Sequence, residues 1–370
     1  MVIMALDHVR DYFHAGSFLG DPTDLATTTV PFFFTRWITH YCAPIFVFLS
    51  GTSAWMVHQR KGARETALFL LKRGLWLIAV EVLVIRTGWT FNPTLPRLGL
   101  QVIWAIGVSM VVLSALIHLP WRAILGIGLL LVCGHNALDS VHFGGAWWWK
   151  MLHEQSRVEA GGLTVFFAYP LLPWIGTMAL GYCFGRLYGT AYTPEVRGRM
   201  LAALGITLVL LFIGVRWSNL YGDPEPWSQQ RNGIFTVISF LNVTKYPPSL
   251  LYLLMTLGPA MLFLAWSENL HGRLVRALVV FGRVPFFYYL LHIPLIHSLA
   301  MGVSLVRTGG VAPWLFANHP MNPGPMPDGY RWSLSLLYVV WATAVAILFV
   351  LCRRYAEFKS GRRDWWLSYL

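Results

Sequence analysis

Apolar positions in this chain gather into long runs broken by short polar stretches. A helix needs about 20 apolar residues to cross a hydrocarbon core. On that measure ten segments read as spans: 1–13, 31–57, 67–87, 99–118, 121–138, 163–187, 200–216, 248–266, 277–302 and 332–352. The pattern predicts an all-α polytopic bundle forming one domain over residues 1–370, with no internal repeat and no separate soluble domain. The first span is short. Met1–Leu6 is apolar and Asp7 follows at once, with neither the charged leader nor the small-residue cleavage site of a signal peptide. It looks like the second half of a transmembrane helix: either the start lies upstream or the first span is short.

The polar breaks differ in charge. Loops after the even-numbered spans and the C-terminal tail hold most of the 28 Lys and Arg, including Arg60, Lys61, Arg64, Arg122, Arg197, Arg276, Arg354 and Arg363. The alternate loops are longer and hold most of the acids, among them Asp21, Asp139, Glu154, Asp223 and Asp328. Cytoplasmic loops carry the excess of Lys and Arg. Both termini are therefore expected on the cytoplasmic side. Trp147, Trp148 and Trp149, in the outer loop 140–162, read as an interfacial belt.

Composition agrees. The 370 residues are 56% hydrophobic and 12% charged, and mean hydropathy is +0.56. A soluble domain carries about 25% charged residues, so lipid must cover much of this surface. The net charge of +12 follows from the loop asymmetry, and no basic stretch has the interleaved aromatics of a nucleic-acid face. Cys42, Cys133, Cys183 and Cys352 lack metal or redox spacing.

Ionisable residues inside spans are costly and point to function. The densest set is Asp7, His8, Arg10, Asp11 and His14 in the first span. Asp7, Asp11 and His14 share one helix face, as do His8 and Asp11. Arg36 and His40 add a second four-residue pair. At about 1.5 Å per residue, Asp7 and His40 lie roughly 9 and 12 Å below the outer surface, so the two can pair and an imidazole base can be oriented by the acid. The ninth span brings His292 and His297, with Tyr288 one turn before His292. Pro285 and Pro294 are expected to kink or break it. Glu81 and Arg86 read as a structural pair. His8 and His14, six apart, and His292 and His297, five apart, are poorly spaced for a metal, and none is expected. Gly181 and Gly185 fit small-xxx-small helix packing.

The run Asp7-His8-Val9-Arg10-Asp11-Tyr12-Phe13-His14, followed by Trp37-Ile38-Thr39-His40-Tyr41-Cys42-Ala43-Pro44, resembles the heparan-α-glucosaminide N-acetyltransferase catalytic-domain family. Phe281-Gly282-Arg283-Val284-Pro285-Phe286-Phe287-Tyr288-Tyr289-Leu290-Leu291-His292 looks like its bacterial branch. The resemblance implies an acyltransferase of the bacterial inner membrane, moving an acyl group, typically acetyl, from cytoplasmic acyl-CoA to an acceptor on the far side. His14 best matches the place of the family's histidine. His40 falls where eukaryotic relatives have an acid, and Asp7 where they have an amide.

On this reading His14 or His40 is the base, Asp7 orients it, and Arg10 or Arg36 stabilises the oxyanion. His8, Asp11 and His292 complete the candidate catalytic set. Arg73, Arg186 and Arg283 would attract CoA phosphates, with Tyr288 beside them. The partners are acetyl-CoA or another acyl-CoA, a sugar or glycan acceptor and the bilayer, with room for a homodimer. A proton-coupled secondary transporter is the rival, because broken helices with mid-membrane Asp and His also suit transport.

Overall fold

The computed structural model describes residues 1–14, 21–268, 270–317, 332–362, 364, 366 and 367. Asp328, Arg363 and part of the outer tract 307–331 lie outside the described residues. The described chain is mostly helical: α1 (Val2–Phe13), α2 (Val30–Trp37), α3 (Cys42–Val80), α4 (Arg86–Thr90), α5 (Val102–Leu116), α6 (Trp121–Gly134), α7 (Trp147–Leu152), α8 (Leu171–Phe184), α9 (Pro194–Ser218), α10 (Gly233–Leu241), α11 (Leu250–Ser267), α12 (Arg273–Arg283), α13 (Pro285–Thr308) and α14 (Leu334–Ser360). Among the described residues, five helical stretches are long and apolar enough to cross a membrane: Trp121–Leu138, Pro194–Ser218, Leu250–Ser267, Pro285–Thr308 and Leu334–Ser360. Their outward faces are apolar, as at Leu210, Trp217 and Val339, which suits a lipid solvent.

The fold is not all-α. Three short strands, β1 (Arg97–Leu100), β2 (Ser156–Ala160) and β3 (Leu163–Phe167), form a sheet in the order β1-β3-β2. β1 runs parallel to β3, with Leu100 opposite Phe167, and β2 is antiparallel to β3, with Val158 opposite Val165. Gly161 and Gly162, both at positive φ, make the tight turn between β2 and β3. The strands take the opening residues of the segments expected to span at 99–118 and 163–187.

Other boundaries shift for local reasons. The segment 31–57 is interrupted by a 3-10 turn at Ile38–Tyr41. The polar stretch after it is helical, and α3 departs from helical geometry only at Gly62, whose φ of 76° suits glycine. The expected break in the ninth span falls at Val284, where α12 ends and Pro285 opens α13; Pro294 lies inside α13. Pro is at home in a first helical turn because its missing N–H costs nothing there. Thr193, Asn232, Ser249 and Ser333 cap α9, α10, α11 and α14 by accepting from backbone N–H groups.

The chain divides into two compact units. The first comprises residues 1–42, 83–95 and 270–370; the second comprises 43–82 and 96–269. In the first, α1 packs on α13 and α14. Val9, Phe13, Ile293, Ile296, Leu337 and Leu348 form its interior. Trp341 Nε1 donates to the Val2 carbonyl at 2.9 Å, which ties α14 to the start of α1.

In the second unit α9 packs along α11, and α8 along α5 and α6. Gly51 and Gly181 let α3 and α8 touch backbone to backbone. A methyl on Gly181 would collide with the Phe48 carbonyl, and one on Gly51 with that of Met178. Arg216 is buried, and its guanidinium donates to the carbonyls of Phe240, Glu225, Ser239 and Asn242 at 2.7–3.0 Å. It thereby organises the chain between α9 and α11. Glu81 and Arg86 each have partners elsewhere. Glu81 accepts from the N–H groups of Gln101 and Trp104 at the N-terminus of α5. Arg86, in the first unit, donates to the Leu95 carbonyl at 2.6 Å.

Candidate functional site

The ionisable residues of α1 face the interior of the first unit. Arg10 and Asp11 are buried, and the Asp7 side chain is 15% exposed. Little more than one helical turn of α1 carries the two acids and one arginine, and α2 supplies the second arginine. Arg36 Nη1 donates to both oxygens of Asp7, at 2.7 and 2.6 Å. Arg10 Nη2 reaches Asp11 at 2.7 Å and Asp7 at 3.2 Å. Two carboxylates thus face two guanidiniums, and Asp21 lies near enough to feel the charge of both arginines. A buried charge is tolerable only when paired in this way. Arg36 Nη1 also reaches Thr39 Oγ1 at 3.3 Å, and that hydroxyl donates to the Arg36 carbonyl. These bonds fix the 3-10 turn that carries His40, which is itself buried.

Histidines line the other side of this pairing. His8 Nδ1 lies 3.5 Å from Asp11 Oδ2. The His8 ring sits edge-on to Trp89, at 4.9 Å between centroids, and 5.1 Å from the ring of His292. His292 is fully buried, and its Nδ1 donates to the Tyr289 carbonyl. That bond assigns the proton to Nδ1 and leaves Nε2 as a lone-pair acceptor. Nε2 makes no hydrogen bond among the described residues, nor does the hydroxyl of fully buried Tyr288, whose ring stacks on His292. Tyr12 stacks between Trp89 and His297 and donates its hydroxyl to the Trp89 carbonyl. His297, singled out in the sequence beside His292, joins this wall; Trp89 has no charge signal in the sequence, and only its neighbours make it part of the wall.

His14 stands apart. It ends α1 in an extended conformation, half-buried, with its ring stacked on Phe32 at 4.2 Å. Burial first, and then the positive charge of Arg10, lower its pKa from the ordinary histidine value. At neutral pH it is therefore a neutral imidazole able to accept a proton.

The residues expected to hold CoA are dispersed. Tyr288 belongs to the buried histidine wall just described. Arg283 is exposed at the end of α12 in the first unit. Arg73 and Arg186 belong to the second unit. Arg186 lies over the Trp121 ring at 4.7 Å, beside a cavity of about 240 Å³ walled by Trp55, His58, Tyr182 and Trp121. His58 Nδ1 and the Tyr182 hydroxyl are hydrogen-bonded there. Also in the second unit, His135, Asp139 and His153 bring three potential metal-ligand atoms within 4.8 Å of one another. Their signal in the sequence is the four-residue spacing of His135 and Asp139, which places both on one helical face.

Spanning helices of this length and apolarity define an integral membrane protein. The chain belongs to the family of the heparan-alpha-glucosaminide N-acetyltransferase catalytic domain, whose model matches residues 9–221, more than half of its length. Membership implies membrane acetyltransferase activity. Arg10, Asp11, His14, Arg36, His40, Arg73 and Arg186 fall within the matched region, while Asp7, His8, Arg283, Tyr288 and His292 fall outside it. No curated protein and no solved structure matches the chain.

Proposed function

We propose that this protein is a bacterial inner-membrane acyltransferase that moves an acetyl group from cytoplasmic acyl-CoA to a hydroxyl or amine of an extracytoplasmic sugar or glycan. Family membership carries this reading, because the matched region takes in both His14 and His40. The acceptor attacks the thioester carbonyl and a C–O or C–N bond forms. The C–S bond breaks, and the acceptor's proton passes through an imidazole to the departing CoA thiolate. His14 is the proposed base, being neutral, half-buried and placed where α1 ends. His40 is the alternative base. Asp7 and Asp11, held by Arg36 and Arg10, set the local charge, Asp11 orients His8, and His292 offers a second acceptor nitrogen. Arg10 and Arg36 would also balance the charge that develops on the acyl oxygen. Arg73 and Arg186 of the second unit and, taken separately, Arg283 of the first are each proposed contacts for CoA phosphates, and the Trp55–Trp121 cavity in the second unit suits an aromatic base beside Arg186.

Ten spans with both termini cytoplasmic fit this chemistry. The five long helices would be joined by α1, the two halves of α3, α5 and α8. Reporters fused after residue 62 and near residue 150 should then read cytoplasmic and external respectively; the same compartment for both would sink the ten-span arrangement.

For the chemistry, His14→Ala or His40→Ala should lower kcat by about 10²–10⁴-fold, the usual contribution of a general base. Acyl-CoA affinity and melting temperature should stay near those of the parent. Unchanged kcat in both single variants and in the double variant would remove the base assignment. Proton uptake without acyl-CoA consumption would favour the transporter.

A further inference from the structure

We propose that His135, Asp139 and His153 form a divalent transition-metal site, with zinc the fitting ion, in the second unit and independent of the acyl-transfer reading. His135 sits in the 3-10 turn that closes α6, Asp139 follows one turn later, and His153 ends α7. The three potential ligand atoms all lie within 4.8 Å of one another. His153 Nε2 and Asp139 Oδ1 are 3.1 Å apart. Tetrahedral zinc with bonds of about 2.0 Å to nitrogen and oxygen sets its ligands about 3.3 Å apart. The His153–Asp139 hydrogen bond already has the separation of one such edge; a bound ion would displace its proton, and the third ligand atom, on His135, lies within 4.8 Å of both.

Burial adds a second argument. His135 is 2% exposed and His153 is 3% exposed, with ring centroids 5.7 Å apart. The nitrogens of His135 make no hydrogen bond of normal geometry among the described residues; the Pro248 carbonyl is the acceptor that approaches it. Nδ1 of His153 makes none either. Buried polar atoms left in this state cost free energy, and a cation between the rings would recover it for the nitrogens that turn toward it.

The surroundings hold the ligands in place, as outer-shell partners of metal ligands do. Asn136 Nδ2 donates to Asp139 Oδ2 at 2.8 Å, and Asn136 Oδ1 accepts from the Leu250 N–H at 2.9 Å. The His153 ring packs on Trp149 at 5.2 Å, and Trp149 Nε1 donates to the Val141 carbonyl at 2.8 Å. The Asp139 side chain keeps 23% of its surface exposed. That opening gives an ion its entry and a water the fourth position. Two imidazoles and one carboxylate suit zinc, whereas calcium and magnesium prefer oxygen alone. Bound metal would clamp the end of α6 to the end of α7 and fix the chain entering β2.

Cobalt(II) titration of the purified full-length chain, carrying no polyhistidine tag and first stripped with chelator, tests this directly. The wild type should develop the visible bands of tetrahedral cobalt at one ion per chain, and zinc should abolish them. His135→Ala, Asp139→Asn and His153→Ala should each lose the bands. Asn136→Ala should keep them with affinity weakened about 10–100-fold, the usual effect of removing an outer-shell partner. His142→Ala should behave as wild type, because His142 is exposed and paired with Glu154. A wild type without tetrahedral bands overturns the site whatever the variants do, and so do bands that survive all three ligand substitutions.

Discussion

Arg36 of the first unit and Arg216 of the second are both buried guanidinium groups, yet they answer to different partners. Arg216 donates to four backbone carbonyls drawn from the loop after α9 and the end of α10. Every one of those bonds shapes the chain, and the nearest carboxylate, Asp223, stands 3.9 Å away. Arg36 instead grips both oxygens of Asp7, a side chain from another helix, and belongs to a network of ion pairs with Arg10 and Asp11. Beside that group stand His8 and His292, the latter with an acceptor nitrogen that makes no hydrogen bond among the described residues. Burial of charge is thus not by itself a sign of chemistry. A cation absorbed by backbone carbonyls builds a loop, whereas paired side chains beside imidazoles hold groups that can exchange protons.

Substitutions should separate the two arrangements. Arg36→Met leaves a buried negative charge and should cost about 3–5 kcal/mol of stability, as breaking a buried pair does. Adding Asp7→Asn to it should restore a large part of that loss. A double-mutant cycle read by thermal unfolding in detergent checks this, and strictly additive losses would show that the pair is not coupled. Arg216→Met should cost about 3 kcal/mol by stranding its carbonyls, with acetyl transfer per folded molecule unchanged. A fall in kcat at constant folded fraction would move Arg216 into the chemistry.

The smallest effect concerns packing in the second unit. Gly181→Ala, which meets the Phe48 carbonyl, should lose about 1–3 kcal/mol. Gly126→Ala, where a methyl meets nothing within 4 Å, should leave the melting temperature at or slightly above that of the parent. Equal behaviour of the two would deny the close α3–α8 contact.

Much of this was legible from apolar run length alone. The five long spans follow from it, and the break before Pro285 follows from proline chemistry. Helical spacing accounts for the Asp7–Arg10 and His8–Asp11 contacts, three residues apart, but not for the Arg10–Asp11 bond between sequence neighbours, nor for His14, which leaves the helix. The sheet was not legible, because Leu98–Leu100 and Leu163–Phe167 are short apolar stretches that periodicity cannot tell from the start of a helix. Nor was the trio of His135, Asp139 and His153, since His153 lies beyond an intervening loop and only the fold brings it back. The Trp147–Trp149 run split for a similar reason. Trp147 and Trp148 are exposed, as a belt requires, while Trp149 turns inward. Glu81 looked like half of an ion pair by spacing and is instead a cap on α5, an assignment that depends on a helix 20 residues away.

The most direct test of the central claim uses the intact protein in sealed proteoliposomes of defined orientation. Radiolabelled acetyl-CoA is placed on the side of residue 62, and a glucosamine-ended or other glycan acceptor on the side of residue 150. The account predicts labelled acetyl on the acceptor and free CoA thiol appearing in equal amounts on the donor side, both lost together in the His14→Ala/His40→Ala double variant. Thiol release that does not depend on any acceptor, or no acetyl transfer from the wild type to any sugar, lipid or glycan offered, would contradict it.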